Sequence, residues 1–133
     1  MPIEHTVDTE RNLIVARAFD TIDTADVLGV VNGCVRHPDF RPGLDVLSDH
    51  RDLQRAISPH DAKRMAWHLG NMRDLFGGCR WAVITDRPDS IRMLEILGLY
   101  LSQVPILLKI FSREEAARAW LESSARQRRI DAN

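Results

Sequence analysis

Residues 37–52 read HPDFRPGLDVLSDHRD, and the interpretation of the whole chain starts from them. Pro38 and Pro42 fix φ and stop a helix, and Gly43 permits the bend that follows. Three apolar residues then supply a strand: Leu44, Val46 and Leu47. The stretch therefore predicts a helix end, a tight loop and a buried strand over residues 44–48.

Polar residues follow this strand directly and extend to Asp52. In an α/β sheet with free edges, ligands usually bind outside the carboxyl ends of the strands, so a binding site is expected here. The predicted binding rim joins this strand end to the next helix start and the next strand end: Asp49, His50, Arg51, Ser58, Asp86 and Arg87. The alternative is that these residues only cap loops, as polar residues at strand ends commonly do.

Upstream of this stretch, residues 4–9 and 13–19 predict a hairpin with its turn at residues 10–12. The second segment alternates two sets of side chains, Ile14, Ala16 and Ala18 against Leu13, Val15 and Arg17. Such alternation is typical of a sheet that is covered unequally on its two faces. Asp23 or Thr24 can cap a helix that runs to about Arg36.

Downstream, Ser58 is a good N-cap and Pro59 suits the first position of a helix. This helix is predicted to run to Phe76, where Gly77-Gly78 ends it. The remaining elements are predicted as strands over residues 81–84 and 106–111, a helix over residues 88–103 and a last helix after residue 112.

The order of these elements predicts one α/β domain over residues 1–123, followed by a polar, loose tail over residues 124–133. Strands and helices alternate after the hairpin, which favours parallel pairing with right-handed crossovers. The expected architecture is a central, mostly parallel five-stranded sheet with an N-terminal antiparallel hairpin and four helices.

Composition argues against several classes of partner. The formal net charge is −1 and the charged fraction is 28%, so no strong field attracts nucleic acid or an anionic surface. Residues 91–101 form the most apolar stretch, but Arg92 and Glu95 interrupt it and it is too short to span a bilayer. Acidic residues break any signal-peptide pattern at the start, so a cytoplasmic location with reduced Cys34 and Cys79 is expected.

The sequence offers no recognised catalytic or metal-binding motif. It lacks a GxSxG nucleophile elbow, a P-loop, a GxGxxG turn and a zinc signature. His60 and His68 lie on one helix face, but Arg64 between them opposes a cation. We therefore expect no metal and no cofactor, and an enzymatic activity ranks third among the functions considered, after an interaction module and a small-molecule carrier.

The helix over residues 88–103 carries more apolar side chains than one sheet contact can bury. A helix packed on one face of a sheet needs a single apolar stripe. The surplus predicts a further contact through Met93, Ile96 and Tyr100. A homodimer interface, an apolar or lipid-like ligand and burial within the chain itself are the three explanations of that surplus.

Four segments of the chain, spanning most of its length, resemble the SpoIIAA-like proteins, an uncharacterised bacterial family also called STAS/SEC14-like. The segments are ERNLIVARAFDTID at 10–23, HPDFRPGLDVLSD at 37–49, RWAVITD at 80–86 and IFSREEAARAWL at 110–121. The resemblance implies the STAS fold of the anti-sigma-factor antagonists. It implies no activity, since the family has no general assigned function.

Partner-switching members of the wider STAS group present a phosphorylatable serine at the start of the helix after the central strand. Ser58 occupies the corresponding place here, but the Asp-Ser-Ser-Gly motif is absent. An N-cap explains Ser58 without any modification.

Two functions are compatible with these observations. The first is a STAS-like interaction or regulatory module, homodimeric, that binds a protein partner through the helix over residues 58–76 and the loop before it. The second is a carrier or sensor of an apolar or lipid-like small molecule, held between the sheet and the helix over residues 88–103.

Overall fold

A computed structural model describes the backbone of residues 2–132 and the side chains of residues 2–123. The strands are β1 (Ile3–Asp8), β2 (Leu13–Asp20), β3 (Asp45–Leu53), β4 (Cys79–Ile84) and β5 (Ile106–Phe111). The helices are α1 (Thr24–Val35), α2 (Pro59–Asn71), α3 (Pro88–Tyr100) and α4 (Glu114–Ala132). The backbone of residues 124–132 continues α4, and the side chains of residues 124–133 lie outside the described part of the chain, so the polar, loose tail expected there stays a prediction.

The five strands form one sheet in the order β1-β2-β3-β4-β5. β1 pairs with β2 antiparallel, and the other three pairs are parallel, which confirms the predicted fold class. Because the parallel strands follow one another in sequence order, right-handed crossovers place α1, α2 and α3 on the same face of the sheet. Helix α4 packs on the opposite face, against β3, β4 and β5.

Local sequence signals explain where the first two helices begin. Asp23 caps α1 in a reciprocal capping box with Asp26, since each side chain accepts from the other residue's backbone N–H at 3.0 Å. Ser58 caps α2 by accepting from the backbone N–H of Asp61, and Pro59 occupies the first turn. Both starts agree with the predicted positions.

The central strand extends beyond the predicted residues 44–48. β3 runs to Leu53, because β2 continues to pair with it through Asp20 after a register shift between Arg17 and Phe19. The polar residues after the apolar run therefore belong to the strand. Successive side chains of a strand point to opposite faces, so these residues are divided between the two faces of the sheet.

Two helix ends also differ from the predictions. Helix α2 ends at Asn71 and a short 3₁₀ helix follows at Arg73–Leu75, whereas the sequence predicted one helix to Phe76. Gly77 and Gly78 then take positive φ values of 55° and 80°, which only glycine adopts at little cost. Helix α3 ends at Tyr100 and not at residue 103.

The core is divided by the sheet. Between the sheet and α2 and α3 lies a large apolar cluster that includes Met65, Val83 and Leu97. A second cluster under α4 contains Leu47, Ala82, Ile84, Ala117 and Leu121. Trp120 packs beside it with its ring centroid 5.6 Å from that of Phe111, so the ring joins α4 to the body of the protein.

Candidate functional site

A cavity of about 130 Å³ lies between the sheet and helices α1 and α2, and we call it the α1–α2 cavity. Its floor is formed by β2 and β3, including Ile14, Ala16, Ala18, Val46, Ser48 and His50. Its roof is formed mainly by α1, through Val27, Val30, Val31 and Cys34, with Met65 and Leu69 from α2. Helix α3 contributes only Leu94 and Leu97.

The sequence of β2 and the position of α1 together explain this space. Ala16 and Ala18 present only methyl groups to the floor, where longer side chains would reach the helix above. The backbone of α1 is close to β1 and α2, so the helix is supported at its sides. Val27, Val30 and Val31 remain only half-buried. Protein interiors rarely leave voids larger than a water molecule, so this cavity is a distinctive feature of the fold.

His50 is the most polar side chain that lines the cavity. It is only 8% exposed, and burial lowers its pKa to about 4. The imidazole is therefore neutral at pH 7 and offers one N–H donor and one lone pair. Neither ring nitrogen forms a hydrogen bond with any other residue of the described part of the chain. His50 thus brings unused hydrogen-bonding capacity to an apolar space.

Ser48 lies two residues before His50 on the same face of β3. Its Oγ accepts a hydrogen bond of 3.0 Å from Nε1 of Trp81, and both residues line the cavity. The Ser48 hydroxyl hydrogen remains available for donation, because Trp81 can only donate. Ser48 and His50 therefore form one polar spot on a floor that is otherwise apolar.

Both cysteines of the chain also line the α1–α2 cavity, from α1 and β4. Both are buried, and burial raises the pKa of the Cys34 thiol above its ordinary value. A protonated, buried thiol behaves as a small apolar group and not as a nucleophile. Cys34 therefore belongs to the apolar lining, and Cys79 is a second buried cysteine there.

The predicted rim residues of β3 are divided between the two faces of the sheet, with Asp49 and Arg51 on one face and His50 on the other. Asp49 points to the α4 face, where Arg51 binds it at 2.7 Å and lies 3.7 Å from Glu114. The hydrogen bond from Arg51 lowers the pKa of the Asp49 carboxyl. His50 points to the opposite face, into the cavity. Since the three residues belong to the strand, the pleat separates His50 from its neighbours.

Ser58 is occupied by local hydrogen bonds at the start of α2. Its Oγ donates to Asp61 at 2.9 Å and accepts from the Asp61 backbone N–H at 3.0 Å. Asp61 also accepts from the backbone N–H and Oγ1 of Thr24, at 3.1 and 2.6 Å. Hydrogen bonding, first from Thr24, lowers the pKa of Asp61. This cluster joins the starts of α1 and α2.

The last two rim residues follow β4. Arg87 donates to the backbone carbonyl of Leu53 at 2.5 Å and forms an ion pair with Asp89 at 3.0 Å. Arg87 therefore ties the end of β3 to the start of α3, while Asp86 is exposed. The structure does not assemble the six predicted rim residues into one site, and most of them make local contacts.

The predicted stripe on α3 is also divided. Met93 is buried in the core, and Ile96 is half-buried against it. Tyr100 is 44% exposed, and the neighbouring Leu99 is 74% exposed. Most of the apolar surplus of α3 is therefore buried within the chain, and the exposed part is limited to the end of the helix.

Among the described residues, no three histidine, cysteine, aspartate or glutamate side chains form a group that could hold a metal ion. Within the same residues, no helix combines the length and apolar character that crossing a membrane requires.

Comparison with solved structures gives one similar fold. A protein from Shewanella loihica PV-4, described as an uncharacterised DUF3478-family protein with a SpoIIAA-like fold, matches with a TM-score of 0.61. The match covers 90% of this chain and 93% of that chain at 17% sequence identity. Neither a family model nor a curated protein sequence matches. At this identity the likeness establishes the fold alone, which is SpoIIAA-like as the four segments predicted.

The sequence interpretation missed the cavity and the direction of His50. Two signals could have found them. The alternation of Ala16 and Ala18 marks a sheet face with small side chains, and Val46, Ser48 and His50 share one face once the strand continues beyond residue 48. The missing information was the length of β3, which its pairing with β2 determines.

Proposed function

We propose that this protein is a carrier or sensor of a small apolar molecule, which it holds in the α1–α2 cavity. The observation that carries the proposal is the cavity itself, about 130 Å³ and lined almost entirely by apolar side chains. The site differs from the predicted one, because α1 and α2 form most of its walls and α3 contributes little.

The size of the cavity supports a ligand of about one aromatic ring. An engineered apolar cavity of about 150 Å³ in another protein stays dry and binds benzene. Side chains around an unfilled apolar space lack packing partners on one side. A ligand that fills the space supplies these contacts and therefore stabilises the folded protein.

The test is a cavity-filling substitution. Ala16→Leu adds a side chain to the floor, and toluene binding measured by isothermal titration calorimetry should be lost. The unfolding free energy should not fall, because the new methyl groups enter empty space. Ala119→Leu is the matched control, since Ala119 is exposed on α4 and the same change should leave toluene binding intact.

Two results would contradict the proposal. Wild-type protein that shows no saturable binding of toluene would exclude a binding cavity for molecules of this class. A destabilisation of Ala16→Leu by about 1–3 kcal/mol would indicate overpacking of a floor that has no free space.

Self-association is a second candidate, favoured by the exposure of Leu99 and Tyr100 at the end of α3. Exposed apolar surface of this kind commonly marks an interaction site. In this interpretation a second copy of the chain covers α3, and Trp67 on α2, which is 66% exposed, offers a surface for a protein partner.

Light scattering tests this candidate directly. Wild-type protein should be a dimer at micromolar concentration, and Leu99→Asp should give a folded monomer because it places a charge in the contact. Ala119→Asp, a matched change at an exposed position of α4 on the opposite face of the sheet, should remain dimeric. A monomeric wild-type protein would rule out the dimer.

A further inference from the structure

The polar spot at Ser48 and His50 indicates the chemical class of the ligand. This inference rests on the proposed function. A purely apolar ligand would cover the His50 imidazole without offering its ring nitrogens a hydrogen bond. Leaving a buried polar group without a partner costs more free energy than forming one hydrogen bond gains. The site should therefore favour ligands that pair with His50 over ligands that leave it unpaired. We propose that the ligand of the α1–α2 cavity carries an uncharged hydroxyl or carbonyl oxygen, which His50 binds by a hydrogen bond.

The charge of the ligand follows from the surroundings of the spot. Apart from Ser48, His50 and Trp81, the residues that line the cavity are apolar side chains and the two cysteines, and the lining contains no aspartate, glutamate, lysine or arginine. Asp49, the neighbour of His50 in sequence, lies on the other face and is paired with Arg51. A carboxylate or an ammonium group would therefore be buried without a counter-ion, which is costly.

The orientation of the ligand follows from the floor. Ser48 and His50 adjoin each other on β3, so the oxygen of the ligand lies over this strand. The alanine side chains of β2 and the valines of α1 then contact the hydrocarbon part. The ligand is an amphiphile of small size, such as a phenol or a short alcohol or ketone, with its polar end at β3.

A matched pair of probes separates this inference from the proposed function. Toluene and p-cresol share one ring and one methyl group, and p-cresol adds a hydroxyl. Calorimetric titration of wild-type protein should show p-cresol binding about fivefold more tightly than toluene, the ratio expected for one buried neutral hydrogen bond.

Substitutions at His50 identify the group responsible. His50→Leu should abolish the preference for p-cresol while toluene still binds, and His50→Gln, which keeps a donor and an acceptor, should retain it. His60→Leu is the matched control, because His60 is exposed at the start of α2 and the preference should be unchanged. A second measurement needs no variant protein. In wild-type protein, the imidazole ¹⁵N resonances of His50 should shift when p-cresol is added and should not shift when toluene is added.

The outcomes are distinct. Equal affinities of wild-type protein for the two probes would overturn the hydrogen bond to His50 and leave the proposed apolar cavity in place. A preference that survives in folded His50→Leu, together with unshifted His50 resonances, would overturn the assignment to His50. No binding of either probe would overturn the proposed function as well.

Discussion

His50 is the residue on which the chemistry of the cavity depends. Its position on the helix-covered face of β3 keeps it neutral, because burial removes water from the ring and disfavours the charged form. A neutral imidazole can accept or donate a hydrogen bond without a counter-ion. The same burial makes His50 a source of acid sensitivity for the folded protein.

The stability of the protein should therefore fall between about pH 6.5 and pH 4. The pKa of His50 is about 4 in the folded protein against an ordinary value of 6.5, so the unfolded chain takes up a proton first as pH falls. From pH 7.5 to pH 5 the unfolding free energy should decrease by about 2 kcal/mol through this residue. Urea unfolding at several pH values measures it.

His50→Gln provides the comparison. The variant should lose this part of the pH dependence, whereas His60→Gln at an exposed position should keep it. An unchanged slope in His50→Gln between pH 6.5 and pH 4 would mean that the acid sensitivity arises elsewhere. Asp49 and Asp61, whose pKa values are lowered in the folded protein, lose their stabilising effect only at still lower pH.

Among the elements, α1 forms most of the roof of the cavity, so we expect opening of this helix to admit a ligand. Val27, Val30 and Val31 are half-buried, and the start of the helix is held by the hydrogen bonds between Thr24 and Asp61. An element with few fully buried side chains opens at lower free energy than the core strands. The link between Thr24 and Asp61 therefore sets how firmly the roof is closed.

Asp61→Ala should loosen α1 selectively. The change removes the acceptor for Thr24 and for Ser58, and hydrogen bonds to a charged group contribute about 1.5–3 kcal/mol each. Hydrogen exchange of the amides in residues 24–35 should become faster, while amides of β4 keep their protection. Asp74→Ala, at an exposed aspartate in the short 3₁₀ helix, is the control. Unchanged exchange in α1 would show that packing on α2 and β1 holds the roof without Asp61.

Sequence patterns predicted those elements whose ends carry a local chemical signal. Asp23, Ser58 and Pro59 place helix starts within a residue or two, because the cap satisfies backbone groups of the same segment. The end of β3 has no such signal, since its last residues are polar and only pairing with β2 keeps them in the strand. The predicted end of α2 at Phe76 was wrong, because Gly77-Gly78 was taken as the first signal that could end the helix, whereas the helix already ends at Asn71.

The candidate site was less predictable than the fold for the same physical reason. The side chains that line the cavity come from strands and helices far apart in sequence, and its volume is the space that the side chains of α1 leave empty above the sheet. The six rim residues were chosen by topology alone. Their local partners, such as Arg51 for Asp49 and Leu53 for Arg87, were not visible in the sequence.

For the molecule as a whole, the topology places the crossover helices on one face and α4 on the other. The sequential order β1-β2-β3-β4-β5 moves each crossover in the same direction, so three helices share one face. Helix α1 lies at the end of that layer, next to β1 and α2. The cavity under it follows from this arrangement together with the small residues of β2.

An NMR titration of isotopically labelled wild-type protein with toluene tests the binding cavity most directly. We predict saturable shifts of methyl and amide resonances at residues around the α1–α2 cavity, such as Ala16, Val31 and Met65, with those of Leu99 and Ala117 unchanged. Shifts confined to the exposed end of α3, or no saturable shifts at all, would contradict a ligand site beneath α1.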